Sequence, residues 1–301
     1  MREGLVDPAF VLTSRDDPPG DLFQGYAFLG SDLVIGTTGA QSWQLGGNAP
    51  IGPGEDGCYL SVRRVGHALV LGTDYRGFAR LFIYRSGRNW ALGTSLMGLA
   101  DHVRGLGWPL TANPSVLAGW MSPHPDYKHM QSRHSVFDEI ELVGLARCLL
   151  VEDGAVREEP VAAHGNGRTA GPFDEFTDTW ISRLGTVLSN PGVRIRIDVS
   201  GGLDTRAVAA LLFAAQEVGI DIDPQNVTYG VTVGPGREAD ERVAEDVARH
   251  LGVVLAKRLA GSARGTTDPH GSVSEWRLRN LGQYGTIRLP VDDPGEASLR
   301  I

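Results

Sequence analysis

Two cysteines in 301 residues cannot build a disulfide framework, which excludes the small stapled scaffolds of secreted proteins and points to a reducing interior. No run is apolar for long enough to cross a bilayer, and the opening MREGLVDPAF lacks the apolar stretch of a secretory leader. A cytoplasmic chain with no membrane partner is therefore expected. Basic residues are outnumbered, 28 Lys and Arg against 36 Asp and Glu, and they are scattered without forming a patch. A net charge of −8 argues against a nucleic-acid partner. Paired-cysteine or histidine-cluster spacings of zinc sites are also missing, and His134 and His164 sit alone in polar, loop-like surroundings.

What is present is glycine, 40 residues of it, alongside an apolar fraction of 42% that suits a soluble, loop-rich chain long enough for two cores. Residues 25–105 alternate short apolar runs with glycine turns: YAFLG, LVIGTTG, CYLSVRRV, ALVLGTDY, LFIYRSG and NWALGTS. Such density of short strands predicts a packed β-sandwich flanked by helices. A mixed Pro, Gly and charge segment at 156–175 reads as a linker between a first domain, 1–155, and a second, 176–301. Thr177 to Leu188 then carries Trp180, Leu184 and Leu188 on one helical face. Cys58 and Cys148 lie in strand-like runs and read as small packing residues.

The second domain opens with the most informative stretch, IRIDVSGGLDTRAVAALL at 195–212. A β-branched run, Ile195, Ile197 and Val199, stops at Ser200-Gly201-Gly202, and an Ala- and Leu-rich helical stretch follows at once. Strand, glycine turn and helix N-terminus in that order make an anion site, because loop N–H groups and the positive end of the helix dipole converge where no Cβ obstructs a phosphate. The loop is neither of the two commonest phosphate loops: no lysine follows its glycines, and they are not spaced as G-x-G-x-x-G. Downstream, NVTYGVTV at 226–233, an amphipathic helix from Ala239 to Leu251, Gly252 and a third apolar run at Val253 continue the alternation of strand and helix. That alternation predicts a parallel sheet covered by helices, with ligands at the carboxyl ends of its strands. Asp240 and Glu241 read as acids favourable at a helix start.

Ser200-Gly201-Gly202-Leu203-Asp204-Thr205-Arg206 resembles the SGGxDS loop of the ATP pyrophosphatase (PP-loop) superfamily, and with Leu203 it is most similar to the synthetase domain of asparagine synthetase-like proteins. Thr205 keeps a hydroxyl where that family has serine, and Arg206 departs from its second serine. The resemblance implies ATP as cosubstrate, with Ser200, Gly201, Gly202, Leu203, Asp204, Thr205 and Arg206 around its pyrophosphate and Asp204 helping to hold Mg²⁺. Gly230 and Val231, near the end of the second strand, are the corresponding candidates for backbone contact with adenine. The implied chemistry is ATP-dependent amide bond formation: a carboxylate substrate is adenylated, pyrophosphate leaves, and an amine substrate displaces AMP.

Ahead of the loop, the segment Gly72 to Tyr84, which contains Thr73-Asp74 and Gly77, resembles the RD..G..PLYY segment of class II glutamine amidotransferase domains. Ala91 to Leu96, Phe137 to Leu142 and Leu149 to Gly154 resemble later segments of the same family in the same order. The fold class implied is α/β: an N-terminal α+β sandwich of the Ntn-hydrolase type, followed by an incomplete parallel-sheet PP-loop domain of the adenine nucleotide alpha hydrolase type. The family's nucleophile is an N-terminal cysteine that uses its own α-amine as base, whereas here Met1 precedes Arg2 and the first cysteine is Cys58. Glutaminase activity is therefore not expected.

The region after Ser274 should supply a second acidic Gly-rich loop, and the sequence ends at Ile301 without it. Three explanations stay open: a piece of a longer reading frame, a subunit completed by a second polypeptide, or a decayed synthetase. A non-catalytic nucleotide-binding or scaffold protein is the alternative from another class. Another PP-loop activity, such as tRNA thiolation, is disfavoured by the acidic charge and the absence of paired cysteines.

Overall fold

The computed structural model describes residues 10–17, 19–121, 132–161, 172–190, 193–221 and 227–259. The expectations for the N-terminal leader, His164 and the region after Ser274 fall outside these residues. Two compact units divide the described chain, one within residues 10–161 and one within 172–259, with the short stretch 30–33 grouping with the second.

In chain order the first unit contains β1 (Val11–Thr13), β2 (Leu22–Leu29), β3 (Asp32–Ile35), α1 (Gly36–Leu45), β4 (Asp56–Val65), β5 (Ala68–Thr73) and β6 (Phe82–Ser86). It continues through β7 (Asn89–Gly93), α2 (Leu96–Gly105), α3 (Pro114–Met121), β8 (Ile140–Leu142), β9 (Arg147–Glu152) and β10 (Ala155–Pro160). The strands form a four-stranded sheet, β1-β7-β6-β8, and a six-stranded sheet, β10-β9-β5-β4-β2-β3. Neighbours in the first sheet, and the pairs linking β10, β9, β5, β4 and β2 in the second, run antiparallel.

Period-two alternation assigns each strand residue to a layer. Ile83, Trp90 and Leu92 of the smaller sheet meet Leu60, Val62, Leu69, Leu71 and Leu149 of the larger one in a core between the sheets. On the other face of the smaller sheet Phe82, Tyr84 and Ala91 pack against Leu96, Leu99, Ala100 and Val103 of α2. On the outer face of the larger sheet Phe23, Ala27 and Tyr59 pack with Ala40 of α1. The result is a four-layer arrangement, helix on sheet on sheet on helix, in agreement with the sandwich flanked by helices.

The run LVIGTTG is corrected by the structure, because the strand ends at Ile35 and α1 begins at Gly36. Its helix is held from outside: Thr37 donates its hydroxyl to the Phe23 carbonyl at 2.8 Å, and Ala40 is buried against β2. Ser95, buried at the end of β7, accepts the Gly98 N–H at 3.1 Å and so caps α2. Residues 156–160, placed in the linker by composition, belong with Ala155 to the edge strand β10 paired with β9.

The second unit runs α4 (Pro172–Leu188), β11 (Ile195–Asp198), α5 (Leu203–Glu217), β12 (Val227–Val233), α6 (Glu238–Leu251) and β13 (Leu255–Leu259). The three strands are parallel in the order β11-β12-β13, with Asp198 beside Gly230 and Gly230 beside Ala256. Ile197, Val199, Val227 and Val231 face Leu188 of α4, Leu212 of α5 and Ala244 of α6, so all three helices cover one side of the sheet. The other side carries exposed Arg196, Asp198, Thr228, Ala256 and Arg258. Trp180 does not join this core; its ring lies 6.2 Å from Phe176 and under the Arg183 guanidinium at 5.4 Å. Gly252 ends α6 in the left-handed region at φ 68°, the conformation that a glycine just past a helix supplies at least cost.

Among the described residues, no helix is long and apolar enough to cross a membrane.

Candidate functional site

Parallel pairing brings the carboxyl ends of β11, β12 and β13 to one edge of the second unit's sheet, where the chain from Val199 to Gly202 turns into α5. The turn is internally bonded. Ser200 Oγ lies 2.9 Å from Thr205 Oγ1 and accepts the Gly202 N–H at 3.1 Å, while Thr205 Oγ1 also donates to the Gly202 carbonyl at 3.1 Å. Arg206 folds back, its Nε donating to the same carbonyl at 3.4 Å. Gly202 is the helix N-cap in extended conformation, with no side chain to cap the opening N–H groups of α5. Those donors and the positive end of the helix macrodipole open onto the turn. Gly202, Leu203, Asp204 and Arg206 are exposed, and Ser200, Gly201 and Thr205 half-buried.

The structure thus gathers Ser200, Gly201, Gly202, Leu203, Asp204, Thr205 and Arg206 into one strand–turn–helix element, with Asp204 in the first turn of α5. Gly230 and Val231 occupy a different level. Both are buried within the central strand, and the Gly230 carbonyl accepts the Val199 N–H at 2.7 Å. Because Asp198 pairs with Gly230, the turn after Val199 lies level with Thr232 to Gly234 rather than with Gly230 and Val231. The side of Gly230 that lacks a Cβ is filled by the Arg196–Asp198 ion pair, whose N–O distance is 3.1 Å.

The space beside Gly201 is occupied in a way the sequence does not show. A Cβ there would stand 2.7 Å from Oδ1 of Asp240, so a carboxylate from the first turn of α6 lies against the loop. The other acids of that turn are engaged elsewhere. Glu238 accepts the Gly236 N–H at 3.0 Å, and main-chain donors, its own N–H first and that of Gly236 next, lower its pKa. Glu241, with Glu245, holds the Lys257 ammonium at 2.8 and 2.6 Å, which raises the pKa of that lysine. Among the described residues, no three His, Cys, Asp or Glu side chains gather as a metal site. Among the described residues, Asp240 lies against the loop and Asp204 stands in the first turn of α5, and a magnesium ion held there would complete its shell with phosphate oxygens and water.

A second glycine-spaced stretch, Gly52-Pro53-Gly54-Glu55-Asp56-Gly57, has G-x-G-x-x-G spacing but leads into strand β4, so no helix N-terminus faces it. In the first unit the amidotransferase-like segment forms a tight loop after β5. Its Asp74 is buried and accepts the N–H groups of Arg76, Phe78 and Ala79 at 3.1, 2.9 and 2.7 Å. Burial raises the Asp74 pKa and these backbone bonds pull it back. Cys58 is half-buried in β4, and burial, reinforced by the Asp74 charge, pushes its thiol up to about 11. Cys148 is half-buried in β9 with a thiol likewise raised by burial. Exposed His134 stands 3.5 Å from Glu141, an ordinary surface pair.

No family model and no curated protein matches the chain. Among solved structures, it is similar to the allosteric regulatory enzyme of purine biosynthesis, at 11% identity and a TM-score of 0.23, over 71% of this chain and 50% of that one. It is also similar to glutamine phosphoribosylpyrophosphate amidotransferase from B. subtilis complexed with ADP and GMP, at 11% identity and a TM-score of 0.23, over 70% of this chain and 50% of that one. The chain spans about half the length of these two proteins.

Proposed function

We propose that the second unit binds ATP with Mg²⁺ at the Ser200–Arg206 loop and serves ATP-dependent amide bond formation of the asparagine synthetase-like kind. The observation that carries this reading is the uncapped N-terminus of α5 behind Ser200-Gly201-Gly202, with the hydroxyls of Ser200 and Thr205 bonded to each other across the turn. Main-chain donors held in place before a ligand arrives favour an anion without reorganisation, and a polyphosphate supplies several anionic oxygens at once.

In the proposed chemistry a carboxylate oxygen attacks the α-phosphorus of ATP, the bond to the bridging oxygen breaks, and pyrophosphate leaves with the electron pair. The loop amides hold the β- and γ-phosphates that become this leaving group. An amine then attacks the acyl carbon, loses a proton to a general base, and expels AMP. The carboxylate and amine substrates would be recognised outside the loop, with the involvement of a second polypeptide part of the proposal. The first unit serves as a scaffold without glutaminase activity: Cys58, with a thiol raised to about 11, carries almost no thiolate at neutral pH.

The test is titration calorimetry of the full chain with Mg-ATP, followed by ATP–pyrophosphate exchange across a panel of carboxylates. Saturable uptake that is lost in Asp204→Asn and Gly202→Val, together with exchange on one carboxylate, is the expected result. Uptake without exchange on any carboxylate would favour the non-catalytic nucleotide-binding alternative. No uptake of Mg-ATP by folded protein would sink the proposal.

A further inference from the structure

We infer that Asp240, resting on the nucleotide-binding reading above, is a specificity-determining residue of the same loop: it makes the loop accept the polyphosphate as a metal chelate and reject the free polyanion. Its Oδ1 fills the side of Gly201 where a Cβ would stand, 2.7 Å from that position. The carboxylate comes from α6, the helix after the neighbouring strand, so the fold and not the loop's own sequence brings it there.

Of the acids that open this helix, Glu238 is turned onto the Gly236 N–H and Glu241 is tied to Lys257, leaving Asp240 as the one in contact with the loop. A cradle of main-chain donors attracts phosphate, yet a carboxylate at its glycine repels the same charge. A divalent cation reconciles the two. Magnesium is commonly held by one or two carboxylates together with substrate phosphates, and Asp204 brings the second carboxylate in the first turn of α5. Asp240 therefore weakens binding of bare ATP and strengthens binding of Mg-ATP.

Titration calorimetry on the full chain, with ATP in EDTA and with ATP in excess magnesium, reads this preference directly. The unaltered protein should favour Mg-ATP by at least about tenfold, the scale expected when one nearby like charge is bridged by a cation. Asp240→Asn should close most of that gap, tightening free ATP and loosening Mg-ATP. Gly201→Ala, whose added methyl displaces the end of the Asp240 side chain, should shift the gap in the same direction. Glu241→Gln, in the same helical turn but bonded to Lys257, should leave it unchanged. Near-UV circular dichroism checks that each variant is folded.

An Asp240→Asn protein that weakens both forms by one common factor, or keeps the original gap, overturns the inference. Equal closure by Glu241→Gln overturns it too, since the effect would then be net charge. If the unaltered protein binds both forms equally, the nucleotide-binding reading stands and this inference falls. If it binds neither, both fall.

Discussion

At residue scale, Asp74 and Cys58 show how one buried site sets its own protonation. Asp74 ties the turn after β5 by accepting three main-chain N–H groups, and removing this buried acceptor would leave the donors of Arg76, Phe78 and Ala79, in a loop that is itself exposed or half-buried, to water. Asp74→Ala is expected to cost about 2 kcal/mol, the scale of a lost hydrogen-bonding group with a charged acceptor, measurable as a fall in the urea midpoint. Cys58 gives a pH signature. Its pKa rises from 9.0 to about 11 on folding, so the folded state holds the proton more tightly than the unfolded chain. The associated stability is present below pH 9.0 and is lost as pH rises through about 11. Cys58→Ala should therefore flatten the alkaline fall of urea stability, by at most about 2 kcal/mol once solvent screening at a half-buried site is counted. Thr205 belongs to the loop itself. Thr205→Ser keeps both hydroxyl contacts and should retain Mg-ATP uptake, whereas Thr205→Val should lose at least about tenfold in affinity by calorimetry, one charge-assisted or buried hydrogen bond's worth.

At the scale of elements, α5 is apolar nearly all round. Leu212 is 2% exposed in the core under the sheet, while Leu203 at 74%, and Val218 at 65% in the C-cap position just past the helix, face away from it. Leu212→Ala is expected to cost about 2–5 kcal/mol, and Val218→Lys to stay within about 0.5 kcal/mol, in the same urea titration. Equal losses would mean that the outward side of the helix is also packed. The alternation of strand and helix after Ile195 was legible because glycines and β-branched residues punctuate it. In α6 the buried positions are Ala244 and Ala248, with Val243, Val247 and Leu251 half-buried beside them, because small side chains let the helix sit close on β12. The α1 helix was not legible: GTTGAQSWQL is poor in helix formers, and contacts from β2 override its local preference. Residues 156–160 misled in the opposite direction. Their charges and proline suit an exposed edge strand as well as a linker.

For the molecule as a whole, two units with separate cores should respond separately to ligand. Under the proposed function, Mg-ATP at about 100 times its dissociation constant should add about 2.7 kcal/mol to the second unit alone. Hydrogen exchange should slow around residues 199–206 and in α5, with the sheets of the first unit unchanged; protection spread over both units would contradict a site confined to the loop. The division between what sequence gives and withholds follows distance along the chain. Ser200 to Arg206 are contiguous, so their shared turn could be read from spacing. Asp240 reaches Gly201 only after a strand and two helices have been placed, and its position at a helix start had an adequate local explanation. The level of Gly230 depends on strand register, which spacing alone leaves undetermined.

Among the described residues, the back of the parallel sheet bears exposed Arg196, Asp198, Thr228, Ala256 and Arg258, and the Arg196–Asp198 ion pair lies over Gly230. No apolar core among them constrains the residues of this face. Substitutions at Thr228, Ala256 and Arg258 should have small effect on folding, while Ile197, Val199, Val227 and Val231, pressed under three helices, are held to a narrow choice. The slab keeps its freedom to vary on one side and its architecture on the other.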